Sequence, residues 1–261
     1  MANILKGKVA LVTASSAGLG AAAARALASE GMRVVINYSA NEQRADDLVK
    51  SLAEEFSSMI QSDDETWGLR FHSIQADLGV RADITGLVYE TVEVMGRLDV
   101  VVSNGGWTRF SNFSDLEDGV EEADWDRCFN MNVKSHLWLI HAAKKHLDET
   151  EGAFITTASL AGVIPIGSSL AYAVTKAAQI HLVKSLATIV GPKIRCNSVS
   201  PAVLLTDWGR KFSDEKLAAA KEKSKLKRLA TVEDVANQIV LFAKSRSVTG
   251  TNAVIDCGSS L

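Results

Sequence analysis

The chain has 261 residues, 47% hydrophobic and 23% charged, which excludes the disordered and fibrous classes and suffices to bury a core without metals or disulfides. The 28 Lys and Arg against 31 Asp and Glu leave a formal charge of −3, so neither nucleic acid nor an anionic membrane is an expected partner. Three scattered cysteines, Cys128, Cys196 and Cys257, cannot close a disulfide set, and reduced thiols in a cytoplasmic protein are expected. No run of about 18 apolar residues predicts a membrane span, and the opening apolar run is short for a signal peptide.

Strands are expected, in chain order, at residues 9–13, 33–37, 71–76, 99–103, 153–158, 194–200 and 253–256. They are short and mostly β-branched without strict polar alternation, as strands covered on both faces should be. Amphipathic stretches at 18–30, 41–58, 81–95, 122–147, 170–190 and 231–244 read as helices. The alternation predicts an α/β fold, a doubly wound parallel sheet of about seven strands with helices on both faces, in a single domain over 1–261. Two segments interrupt it. Residues 57–70 form a polar connection longer than usual. Residues 204–228 form an excursion ending in KEKSKLKR, read as a solvated helix face rather than a phosphate patch. The acidic run 115–126 reads as a solvated loop leading into a helix.

Between the first strand and the first helix lies Thr13-Ala14-Ser15-Ser16-Ala17-Gly18-Leu19-Gly20. Such a turn lets backbone N–H groups approach a pyrophosphate at the positive end of the helix. Any tight strand-to-helix turn also uses glycine, so the surrounding order of elements carries part of the weight.

Further along stand Asp77 after the third strand, Ser103-Asn104-Gly105-Gly106 after the fourth, Asn132, Ser159, Tyr172-Ala-Val-Thr-Lys176 and Asn197-Ser-Val-Ser-Pro201-Ala202. In order and spacing these resemble the short-chain dehydrogenase/reductase family over essentially the whole chain. Thr13 to Gly20 is similar to its TGxxxGxG turn, residues 103–106 to its NNAG motif, and residues 197–202 to its NxVxPG segment. The resemblance implies a Rossmann-type fold and a nicotinamide cofactor held by Thr13, Ser15, Ser16, Gly18, Leu19, Gly20, Asn37, Ser39, Asp77, Asn104, Gly105, Tyr172, Lys176, Pro201, Val203 and Thr206. Asp77 stands where the family holds the adenine, and Thr206 where it contacts the nicotinamide carboxamide. Ala14, Gly105 and Ala202 each depart from the pattern by one methyl group. The Cβ of Ala14 either pushes the turn from the pyrophosphate or is accommodated at modest cost.

The second strand ends Ile36-Asn37-Tyr38-Ser39-Ala40-Asn41, with no carboxylate before Glu42 to repel a 2′-phosphate. Asn37, Ser39 and Asn41 are candidates to hydrogen-bond that phosphate, and Arg44 to reach it from the next helix. NADP(H) is therefore expected over NAD(H).

Tyr172 and Lys176 are four apart and share a helix face. A phenol of pKa near 10 must fall by about 2–3 units to act near neutrality, roughly 3–4 kcal/mol. One ammonium about 4 Å away contributes on that order at an effective dielectric of 20, so Lys176 is expected to supply most of the shift. The resemblance assigns Tyr172 as general acid/base, Ser159 as donor to the carbonyl oxygen, Lys176 to the nicotinamide ribose and Asn132 to a relay water. His136, His141 and His146 recur at fives, which turns them off a common face, so no metal is expected.

Trp107, Phe110, Ile164, Ile166, Leu204 and Trp208 follow carboxyl ends of strands, where open α/β sheets bind ligands. They predict an apolar, aromatic-walled pocket under a lid at 204–228, or else packing of that lid or of a subunit interface. The expected function is hydride transfer between NADP(H) and a ketone or secondary alcohol on a fairly hydrophobic small molecule, a reductase of carbonyl type. The alternatives are a 3-oxoacyl thioester reductase and a cofactor-binding sensor or scaffold without turnover. The family resemblance implies a homodimer or homotetramer.

Overall fold

A computed structural model describes residues 4–57 and 69–261; the expected connection at 57–70 therefore falls almost wholly outside the described residues. All seven expected strands form, within two residues of their expected ends: β1 (Val9–Val12), β2 (Arg33–Tyr38), β3 (Phe71–Gln75), β4 (Val100–Ser103), β5 (Ala153–Thr157), β6 (Arg195–Pro201) and β7 (Asn252–Ile255). They pair in parallel in one sheet of order β3-β2-β1-β4-β5-β6-β7. Strands β1, β2 and β4 are buried along their whole length, which is why they read as unbroken apolar runs.

The crossovers are α1 (Gly18–Ser29), α2 (Glu42–Glu55), α3 (Arg81–Met95), α4 (Glu122–Phe129), α5 (Ser135–Thr150), α6 (Leu170–Val190), α7 (Asp214–Lys223) and α8 (Val232–Lys244). On one face α1, α2 and α8 pack through Leu27, Leu48 and Ile239 against Ala10, Val12 and Ile36. On the other, α3, α5 and α6 pack through Ile84, Leu139 and Val183 against Leu11, Val101 and Phe154. Each such buried side chain contributes about 1.5–3 kcal/mol relative to exposure. The strand order reverses between β1 and β4, which opens a crevice at the carboxyl ends of the strands.

The stretch expected as one helix over 122–147 is divided. A π turn, Asn130–Lys134, lies between α4 and α5 and carries Asn132 fully buried. One residue inserted into a helical ladder leaves the apolar spacing nearly unchanged, so the pattern does not reveal it. The basic run begins in the last turn of a helix, α7, which buries no residue and is capped by Ser213, and continues past its end at Lys223. The acidic run contains a short 3-10 turn, Glu117–Gly119, and places Glu122 and Asp124 in the first turn of α4. Among the described residues no helix is long and apolar enough to cross a membrane.

Candidate active site

The α1 turn is built by cross-links between strand ends. Thr13 Oγ1 accepts the backbone N–H of Asn104 at 2.9 Å, and Asn104 Nδ2 donates to Ala14 O at 3.1 Å. Ser15 Oγ donates to Val12 O and accepts the Asn37 N–H. Asn37 Oδ1 accepts the Ala14 N–H at 2.9 Å, while Nδ2 reaches the carbonyls of Tyr38, Ile74 and Ala76. A Cβ at Gly20 would stand 2.5 Å from Ala14 O and 2.8 Å from Asn104 Nδ2, so only glycine lets the helix approach this closely. Ala14 takes the left-handed conformation, φ 48, as the glycine-like turn requires. The α1 N-terminus has no side-chain cap and no acidic residue in its first turn.

The second cluster lies beyond β5. Ser159 caps a 3-10 turn, Leu160–Gly162, by accepting the Ala161 N–H. Ser169 caps α6 by accepting the Tyr172 N–H at 3.1 Å. Lys176, one turn on, donates to Thr157 O at 2.8 Å and Gln179 Oε1 at 2.9 Å, with Nζ 5.6 Å from the centre of the Tyr172 ring. Asn132 Oδ1 accepts the Trp107 N–H, and its Nδ2 donates to Trp107 O and Thr175 Oγ1.

A cavity of about 460 Å³ joins the two clusters. Ala14, Gly18, Leu19 and Asn104 line one end and Ser159, Tyr172 and Lys176 the other, with Pro201, Val203 and Thr206 beneath the excursion. From the excursion Leu204 and Trp208 face it, the indole 5.9 Å from the Tyr172 ring.

A family model described as enoyl-(acyl carrier protein) reductase matches residues 13–260. Versicolorin reductase of Emericella nidulans is 31% identical over 270 residues, covering 98% of this chain and 96% of its own. The 3-oxoacyl-[acyl-carrier-protein] reductase of Staphylococcus aureus is 29% identical over 255 residues, 96% of this chain and 97% of its own. A short-chain dehydrogenase of Burkholderia cenocepacia, solved in complex with NADP, superposes with a TM-score of 0.84 at 31% identity, covering 98% and 99%. The chain belongs to the short-chain dehydrogenase/reductase family.

Within that family's framework, the expected site residues differ in burial and in the partners they hold. Thr13, Ser15 and Asn37 are fully buried with their polar side-chain atoms engaged by backbone, so their side chains shape the turn. Asn41 is committed as the cap of α2, accepting the Arg44 N–H. Ser39 and Asp77 remain exposed, though one Asp77 oxygen holds the Gly79 N–H. Ser16, beside the turn, is half-buried. Arg44 pairs at 2.8 Å with Asp207 of the excursion. At Gly105 a Cβ would stand 2.3 Å from Leu78 Cδ1, so the missing methyl there is matched by a larger neighbour. The Asn132 side chain fixes Trp107 and Thr175, accepting from one and donating to both.

Of the expected pocket wall, Ile166, Leu204 and Trp208 line the cavity, whereas Trp107, Phe110 and Ile164 do not. The Trp107 ring lies 4.5 Å beneath the Arg127 guanidinium, and Phe110 packs edge-on against Phe212, which lines the cavity in its place. Burial pushes the Tyr172 hydroxyl up to about 12, with Ser159 pulling it down. Burial brings Lys176 down to about 7. Gln179, which sequence reasoning missed, sits on the buried face of α6 one turn after Lys176.

Proposed function

We propose that the chain transfers a hydride between NADP(H) and a ketone or secondary alcohol on a fairly hydrophobic small molecule. The observation that carries this reading is the single cavity whose one end is the uncapped α1 turn and whose other end holds Ser159, Tyr172 and Lys176. The residues fit a dinucleotide: the close approach at Gly20 and the uncapped positive helix end suit a pyrophosphate, and Leu19, Asn104, Pro201, Val203 and Thr206 flank the path between the clusters. The nicotinamide, when bound, supplies or accepts the hydride and carries a positive charge in its oxidised form.

The rest of the chemistry belongs to the chain. Ser159 Oγ accepts from Ala161, which leaves its O–H to donate toward a carbonyl oxygen. Tyr172 holds the proton at its phenol oxygen and delivers it to the developing alkoxide. Lys176 keeps its Nζ at the cavity wall, and Asn132 fixes the backbone of residue 107 against α6. Leu204, Trp208 and Phe212 exclude water from above.

For the cofactor, the absence of a carboxylate before Glu42, the cation of Arg44 beyond β2 and the relative crystallised with NADP all favour the phosphorylated form. A second reading, reduction of a 3-oxoacyl thioester, gains support from Lys223 and Arg228, which line the same cavity, and from the Staphylococcus aureus relative named for that reaction. Exposed Leu137, Val174 and Ile189 on α5 and α6 favour assembly as a homodimer or homotetramer.

Calorimetric titration with NADPH and NADH tests the reading. NADPH tighter by about tenfold or more, about 1.4 kcal/mol, is expected. Preference for NADH overturns the phosphate argument and leaves hydride transfer standing; binding of neither overturns both.

A further inference from the structure

Lys176 and Gln179 are three apart on α6 and lie on the same face of the helix. Both are buried, Lys176 at 3% exposure and Gln179 at 0%. Their head groups close a triangle with one backbone carbonyl. Lys176 Nζ donates to Thr157 O at 2.8 Å and to Gln179 Oε1 at 2.9 Å, and Gln179 Nε2 donates to the same Thr157 O at 3.2 Å. On the far side of Nζ stands Gly106, where a Cβ would lie 3.4 Å from the nitrogen. An ammonium has three N–H groups. Two are anchored on protein acceptors, which leaves the third, and Lys176 is among the residues that line the cavity.

We propose that Gln179 is a positioning residue that holds the charged head of Lys176 in place, with one N–H left for a ligand in the cavity. The proposal rests on the reading of Lys176 as part of the reactive cluster. The physical argument is about competition between water and protein. A lysine taken out of water loses its charge unless acceptors replace the lost solvent. Thr157 O alone leaves two N–H groups unanswered and the four-carbon stem free to turn. Gln179 supplies the second acceptor and, by donating to Thr157 O itself, fixes where that acceptor points.

The titratable groups that face Lys176 from the packed elements are few. Tyr172 lies on its own helix, Cys128 approaches from α4 and His136 from α5. Burial pushes the Cys128 thiol up to about 11 and holds His136 well below its ordinary value, so both stay neutral around Lys176's own titration. Tyr172, pushed up to about 12, is neutral there as well. Of these groups Lys176 is the one that burial brings toward neutrality.

The test is NMR titration of the full chain carrying lysine labelled with carbon-13 at Cε, with Lys176→Met to assign the signal. In Gln179→Leu the midpoint of Lys176 should fall by about one unit, because an acceptor for the ammonium is lost. In Gln179→Glu it should rise by about one to two units, because the same position now carries a negative charge. The alkaline limb of kcat/KM, which reports loss of the ammonium, should move with the midpoint in both variants while KM for the ketone changes less than kcat. Coincident midpoints in wild type and both variants overturn the proposal, since a residue with a merely structural role moves neither. Should Gln179→Leu fail to fold, Gln179→Met takes its place with the same expected direction. Shifted midpoints in a chain that reduces no ketone would overturn the proposed function and leave the lysine-holding role intact. Normal turnover with unshifted midpoints would do the reverse.

Discussion

Around the α1 turn the buried polar side chains are saturated: Thr13, Ser15 and Asn37 each bond two or more partners, most of them backbone. Across the same cavity, at the head of α6, the buried titratable groups are strongly shifted. Tyr172 is pushed up to about 12 and Lys176 down to about 7, and neighbouring His136 Nε2 and Thr156 Oγ1 have no partner among the described residues. Saturation makes a backbone rigid, because every departure leaves a buried donor or acceptor unmade. Incomplete satisfaction keeps protonation states adjustable by whatever enters the cavity. One end is thus built to hold a shape, the other to change charge.

The harshest way to break that contrast is Tyr172→Phe. It removes one oxygen at the adjustable end and should lower ketone reduction by about 10²–10⁴-fold while NADPH affinity changes little. Steady-state rates beside calorimetry check this, and a variant that retains turnover removes the proton role from this phenol. Next comes Lys176→Met, read as stability against pH. Burial lowers the Lys176 pKa from 10.5 to about 7. The unfolded chain therefore binds more protons between those values, so the penalty is complete below about pH 7 and fades as pH rises toward 10. Urea unfolding at several pH values should show the wild type gaining on the Met variant by at most about 1.4 kcal/mol per pH unit across that window. A constant difference would mean that the ammonium is as well solvated as in the unfolded chain.

The contrast explains which parts were legible in advance. Strand and helix alternation depends on burial period alone, and it placed every strand of the sheet within two residues. The grouping of Ser159, Tyr172 and Lys176 is legible because they lie close along the chain on two adjoining elements. The burial of Asn37 is not legible locally, because a polar residue at a strand end looks solvent-facing and nothing nearby announces the carbonyls of Ile74 and Ala76. Which side chains after a strand face the cavity is not legible, because the direction of the departing chain is set by contacts such as Asn132 with Trp107, across 25 residues. Gln179 carried a usable signal. It continues the buried stripe of Lys176, Val183, Leu186 and Val190, where a polar side chain needs a partner.

Asn37→Ala sharpens the comparison from the saturated end. It leaves the Ala14 N–H and the carbonyls of Ile74 and Ala76 without their partner, a loss of about 2–4 kcal/mol in unfolding free energy. Because Asn37 acts through the turn, NADPH and NADH should weaken together in calorimetry. Loss of NADPH binding alone would return Asn37 to the role of a phosphate reader. Arg44→Gln supplies the opposite pattern: it should weaken NADPH severalfold, spare NADH and release Asp207 of the excursion.

The smallest expected effect falls on the residue that departs from the glycine pattern of the turn. Ala14 sits at φ 48, a conformation that costs a side chain roughly 1–2 kcal/mol. Ala14→Gly removes that strain but frees the unfolded chain, which offsets about 0.4–1 kcal/mol. The net gain in stability should stay near 1 kcal/mol or below, about 2–4 °C in Tm at most for a chain of this size. The methyl also lines the cavity, so its removal should tighten dinucleotide binding slightly. A lower Tm would mean that the turn is not strained at all and that the methyl packs productively. The network of Asn37 and Asn104 would then be holding a conformation the alanine already favours, and the rigidity of this end would owe less to its saturated hydrogen bonds than the Asn37→Ala experiment assumes.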